Sequence, residues 1–158
     1  MSQVMEYQMF INGEWTSGHA VDRMEVINPS TREVTATVPR AVQADVDEAL
    51  GCARETFESG IWSNKPIEER AQILMNAAML SVANKDRMAY LESLTSGATI
   101  RRTTTVDAAE VGATLLLTAM IAKELPIVEH SFFSPPWVAP MHTFWRREPI
   151  GVCAGITP

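Results

Sequence analysis

Up to about residue 40, apolar and polar residues alternate over short stretches. From there to about residue 124 the apolar positions recur every three or four residues, so a small β region followed by helices is predicted. Residues 7–15, YQMFINGEW, read as a hairpin, because Asn12 and Gly13 both tolerate the positive φ of a tight two-residue turn. Two further strands are expected at 24–27 and 33–38. Between them Asn28-Pro29-Ser30-Thr31 reads as a turn, in which Asn and Ser bond nearby backbone and Pro presets φ.

Four helices follow. The first covers 43–59, with Val46, Leu50, Ala53 and Phe57 on one face and Asp45, Asp47 and Glu48 in its first turns, where the helix dipole favours acids. Pro66 opens the second, at a position where its missing N–H costs nothing, and Ile67, Ala71, Leu74 and Ala78 form its inward stripe. The third is expected over 85–96, with Met88, Leu91 and Leu94 inward and Gly97 as a left-handed cap. The fourth is expected over 103–124, with Val106, Ala109, Ala113, Leu116 and Met120 inward. Leu115, Leu117 and Ile121 widen its apolar face, so it needs cover on more than one side.

The pattern changes after Pro126. Residues 127–149 hold Pro135, Pro136, Pro140 and Pro149 together with Phe132, Phe133, Trp137, Phe144 and Trp145, which reads as an extended arm that packs against something else. Residues 150–156 read as a buried parallel strand, apolar on both faces.

Composition narrows the function class. With 46% hydrophobic and 20% charged residues the chain has the balance of a soluble globular protein. A net charge of −6 without a dense Lys/Arg run argues against nucleic acid and anionic lipid as partners. Cys52 and Cys153 are isolated thiols, which fits a reducing cytoplasm and argues against a disulfide scaffold or structural zinc. The N-terminus lacks a signal-peptide pattern, and the apolar run 113–122 is too short to span a bilayer.

Six stretches, in order, resemble the aldehyde dehydrogenase superfamily. They are Ile11-Asn12-Gly13-Glu14-Trp15, Ile27-Asn28-Pro29-Ser30-Thr31, Phe57-Glu58-Ser59-Gly60-Ile61-Trp62-Ser63, Glu68-Glu69-Arg70, Glu92-Ser93-Leu94-Thr95-Ser96-Gly97 and Arg147-Glu148-Pro149-Ile150-Gly151-Val152. The closing Ala154-Gly155-Ile156-Thr157-Pro158 is the sharpest match, since in the family this strand runs on into Trp-Asn.

The resemblance implies an α/β fold, the N-terminal portion of an aldehyde dehydrogenase-like architecture. Residues 1–126 would be the N-terminal part of the cofactor-binding domain, with its small β region and four helices. Residues 127–149 would begin an oligomerisation hairpin, and residues 150–158 would be the first strand of a truncated Rossmann-type sheet. The implied cofactor is NAD or NADP, with Ile156, Thr157 and Pro158 lining its cleft. The implied partners are an aldehyde substrate and, through 127–149, a second copy of the chain, with no nucleic acid and no membrane.

In the family's reaction a cysteine thiolate attacks the aldehyde, an Asn side chain and a backbone N–H hold the oxyanion, hydride leaves for the nicotinamide, and a Glu-activated water hydrolyses the thioester. None of those reacting groups falls within these residues, so the expectation is an inactive N-terminal fragment of an oxidoreductase, with no catalytic and no metal-ligating residue of its own. Some relatives hold a monovalent cation with an acid before Ser96-Gly97 and the backbone carbonyl at the position of Ile27. Here that acid is Thr95, which argues against such a site.

The other chemistry-bearing residues read as structural. Cys52 lies on a helix with no base near it in sequence, and Cys153 lies inside an apolar strand. His19, His130 and His142 lack metal-ligand spacing. Glu68 and Glu69 are first-turn carboxylates, Arg101-Arg102 is a solvated loop pair, and no serine makes a GxSxG elbow. Two rival readings remain: a non-catalytic interaction module binding a full-length partner through its helices and aromatic arm, and a helical scaffold unrelated to dehydrogenases. The first is opposed by an apolar strand left unpartnered, the second by six ordered motifs.

Overall fold

The computed structural model describes residues 4–131, 137 and 143–157. Strand β1 (Met5–Glu6) pairs in parallel with β5 (Val34–Pro39), and β5 pairs antiparallel with β4 (Arg23–Ile27), so the sheet order is β1-β5-β4. Arg23 clamps this sheet. Its Nε donates to Thr37 Oγ1 at 2.9 Å, and Nη2 donates to the carbonyls of Tyr7 and Thr37 at 2.7 and 3.0 Å. Strands β2 (Met9–Ile11) and β3 (Glu14–Thr16) form the expected hairpin, with Asn12 at φ 52° and Gly13 at φ 82°. The pattern of both turns matches the expectation. In the β4–β5 turn the Ser30 N–H donates to Asn28 Oδ1 at 2.9 Å.

Helices α1 (Gln43–Ser59), α2 (Ile67–Ala83) and α3 (Lys85–Ser96) lie where the periodicity puts them. Pro66 is the N-cap of α2 and Gly97 closes α3 at φ 76°. The fourth helix, α4 (Ile100–Glu124), begins three residues earlier than expected. Thr99 caps it by accepting the Arg102 N–H, so Arg101 and Arg102 are helical and not a loop pair. Thr103–Asp107 is a π turn within it. Contrary to the expectation from the 113–122 run, α4 is long and apolar enough, by length and composition, to cross a membrane.

The face of α4 that packs is also not the one expected. Ala108, Gly112 and Ala119 are buried, whereas Val106, Leu116 and Met120 are exposed. The reason is close approach to α2. A Cβ on Gly112 would lie 2.9 Å from Ser81 Oγ and 3.1 Å from Val82 Cγ2, so only a small-residue face fits there. Among the described residues the buried hydrophobic core is formed by Ala36, Ala71, Ala78, Ala89, Ala108 and Ala119. On α1 the expected inward residues Val46 and Leu50 are exposed because little covers that face.

The chain exposes 12541 Å². A compact monomer of its 17.4 kDa mass would expose roughly 7,900 Å² by the usual size scaling. Large apolar side chains, among them Met79, Leu80, Leu117 and Ile121, contribute to the excess.

The arm is a hairpin of β6 (Val128–Ser131) and β7 (Thr143–Arg146). Residues 147–157 belong to no strand. The expected strand at 150–156 is therefore a correction: a parallel strand needs a neighbour to supply its hydrogen bonds, and none pairs with it among the described residues.

Candidate functional site

Two motif stretches far apart in sequence meet in space. Gly97 presents its bare Cα to the Pro29 ring, and a Cβ there would lie 2.7 Å from Pro29 Cγ. The turn after β4 thus seats against the cap of α3. Next to that cap, the Thr95 hydroxyl donates back to the Leu91 carbonyl at 2.9 Å, so the position carries a neutral oxygen held on its own helix. Among the described residues no group of three or more His, Cys, Asp or Glu is placed to hold a metal.

A second anchor was not foreseen. Asp45, grouped in sequence with the acids that favour a helix start, is 2% exposed. Its Oδ1 accepts the His19 N–H at 2.7 Å and faces His19 Nδ1 at 3.1 Å, while Oδ2 accepts the Val42 N–H at 2.9 Å. The backbone donors at His19 and then Val42 hold the carboxyl below its ordinary value, with a smaller contribution from the His19 ring, against burial, which raises it. The signal in sequence was the position three residues after the N-cap. It was hidden because the N-cap is Val42, which cannot complete a reciprocal cap. Gly18, at φ 58°, lets the loop approach this carboxylate, since a Cβ there would collide with Oδ1.

The terminal segment lies along α1. Residues 149–153, the β2–β3 turn and α1 from Ala49 to Phe57 enclose a cleft of about 650 Å³. Gly151, at φ 105°, faces the Phe57 ring at 3.8 Å. Cys52 and Cys153 both line the cleft, and among the described residues no His or carboxylate lines it with them. Both thiols are free. Cys153 is exposed, not buried in a strand as expected, because residues 147–157 form no strand among the described residues.

The remaining candidates are dispersed. Glu69 pairs with Lys65 at 3.5 Å, Arg102 faces Asp107 at 3.5 Å, and the His130 ring lies 6.4 Å from the Phe144 ring. His142 lies outside the described residues.

Of the three residues expected to line a cofactor cleft, Ile156 is 97% exposed, Thr157 is exposed, and Pro158 lies outside the described residues. Neither Ile156 nor Thr157 lines the cleft along α1.

Comparison with known proteins gives these anchors a family. The chain superposes on betaine aldehyde dehydrogenase from Staphylococcus aureus, solved in complex with NAD+, with a TM-score of 0.75 and 26% identity, covering 84% of this chain and 26% of that one. It is similar to gamma-glutamyl-gamma-aminobutyraldehyde dehydrogenase from Burkholderia cenocepacia (TM-score 0.78, 27% identity, 84% of this chain and 27% of that one). It is also similar to an indole-3-acetaldehyde dehydrogenase in apo form (TM-score 0.77, 27% identity, 85% of this chain and 30% of that one). The chain thus spans between a quarter and a third of the length of these structures. The profile of the Aldehyde dehydrogenase family matches residues 15–158, and with that match the chain belongs to the aldehyde dehydrogenase family.

Proposed function

We propose that this chain is the N-terminal scaffold of an NAD(P)-dependent enzyme that oxidises an aldehyde to a carboxylic acid. The observation that carries the reading is the family match over residues 15–158, a range that takes in the helices, the arm and the terminal segment. The nicotinamide group would accept the hydride when bound. What these residues contribute is placement. The Asp45 and Gly97–Pro29 anchors hold the β region on the helices, and α1 supports the segment that leads to Ile156, Thr157 and Pro158. Those three would form one wall of the cofactor cleft, with the other walls and the reacting groups supplied by the rest of the protein. The large exposed apolar area supports this reading, because it needs more cover than the chain gives itself.

In the same reading residues 1–126 and 150–158 belong to the cofactor domain, and 127–149 is an arm that joins copies into a soluble, cytoplasmic homo-oligomer. Helix α4 is then a core helix. Its Gly112 seam on α2, and the Arg101, Arg102, Asp107 and Glu110 of its first half, fit that role better than a lipid environment.

The test is an aldehyde panel assayed for NADH or NADPH formation with the intact protein and with residues 1–158 alone. The expected result is turnover by the first and none by the second. Turnover by residues 1–158 alone would overturn the division of labour proposed here.

A further inference from the structure

The root of the arm carries an interaction that the reading above does not use. Strands β6 and β7 pair from Val128 opposite Arg146 to Ser131 opposite Thr143, so Arg147 is the first residue past the ladder. Its N–H donates to the Ile127 carbonyl at 3.0 Å. Its guanidinium then forks. Nη1 donates to the Pro126 carbonyl at 2.7 Å, and Nη2 lies 2.9 Å from Glu129 Oε1.

Pro126 follows Leu125, the C-cap of α4, whose N–H bonds back to Ile121. One planar cation therefore ties the end of the helix, where the dipole favours positive charge, to a carboxylate on the first strand of the arm. Arginine suits this task because its donors diverge at a fixed angle, whereas a lysine would satisfy one acceptor at a time. Only Leu125 to Ile127 separate helix from strand, so without the clasp the arm would pivot about that short link. The neighbouring Arg146 pairs with Glu148 at 3.3 Å, a contact that stays within residues 146–148 and does not reach the helix.

We propose that Arg147 is the positioning residue that sets the angle at which the arm leaves α4, and so its alignment on a second copy of the chain. This rests on the reading of the arm as the element that joins copies. The arm presents Ile127, Phe144 and Trp145 outward, the last at 70% exposure, and such side chains meet a partner only if the strand bearing them arrives in one orientation.

The test uses the intact protein, with self-association measured by sedimentation over a concentration series and arm exchange measured by hydrogen–deuterium exchange. R147M is expected to weaken association about tenfold and to speed exchange across 127–131, from loss of a charge-assisted fork. R147K is expected to fall between R147M and wild type, and R146M to match wild type. Thermal midpoints should stay close together, because the clasp is at the surface.

W145A separates the two claims. If W145A weakens association and R147M does not, the clasp is overturned and the arm reading stands. If neither variant weakens it, the arm reading itself fails and this proposal with it. An R146M effect equal to that of R147M would also overturn the proposal, because charge and not placement would then be responsible.

Discussion

Replacing Gly97 with alanine isolates the contact that seats the β region on the helices. Two costs add. At φ 76° a side chain is strained, by about 1–2 kcal/mol for a residue with a Cβ. The new Cβ would also stand 2.7 Å from Pro29 Cγ, well inside the carbon–carbon optimum of about 3.5–4.0 Å, and overpacking of this kind costs about 1–3 kcal/mol. The ring is stiff, so the turn must move as a whole, and G97A should cost about 2–5 kcal/mol. Gly13 supplies the control: its φ is 82° and nothing lies within 4 Å of the place its Cβ would take, so G13A carries the backbone cost alone, about 1–2 kcal/mol. The assay is urea unfolding of the intact protein followed by circular dichroism, comparing midpoints at a common slope. P29A should bring the cost of G97A down towards that of G13A. If G97A costs no more than G13A, or if P29A leaves it unchanged, the seat of the turn on α3 is refuted.

Asp45 predicts a pH dependence. Its folded-state value lies below the ordinary 3.8, so its stabilisation is present above that value and is lost as pH falls through the folded-state value. D45N should lower stability at neutral pH and flatten the acid limb of the unfolding curve; an acid limb identical to wild type would contradict the anchor. At Gly112, G112V should destabilise by about 3 kcal/mol or more, because it drives methyl groups into Ser81 and Val82, while G112A should stay within about 1 kcal/mol as helix propensity offsets crowding. Unfolding midpoints check both. C52S and C153S should each retain aldehyde oxidation in the intact protein, and abolition of steady-state turnover by either would make that cysteine the nucleophile.

Much of the fold was legible because local signals agreed. Asn12-Gly13 allows one kind of turn, and Gly97 after the Met88, Leu91 and Leu94 stripe set the end of α3. What was missed depends on partners distant in sequence. The parallel pairing of Met5 and Glu6 with Ala36 and Thr37 leaves no local trace. On α4 the apolar residues go round the whole helix, so periodicity could not tell which face approaches α2, and the presence of Gly112 was the better guide. Thr99 as a cap was masked by the charged Arg101-Arg102 that follows. The candidate site was less legible. Ile156, Thr157 and Pro158 were singled out by motif alone, since Ile156 and Thr157 are exposed and belong to no strand, and Pro158 lies outside the described residues. Asp45 was hidden among three acids with the same apparent role.

The central claim is that these residues serve a larger dehydrogenase that holds the reacting groups. The most direct test is to read the gene beyond the codon for Pro158. The account predicts that the frame continues into Trp-Asn and later into a Cys and a Glu in family context. A stop codon directly after Pro158 would contradict it and would turn the search from aldehydes to binding partners.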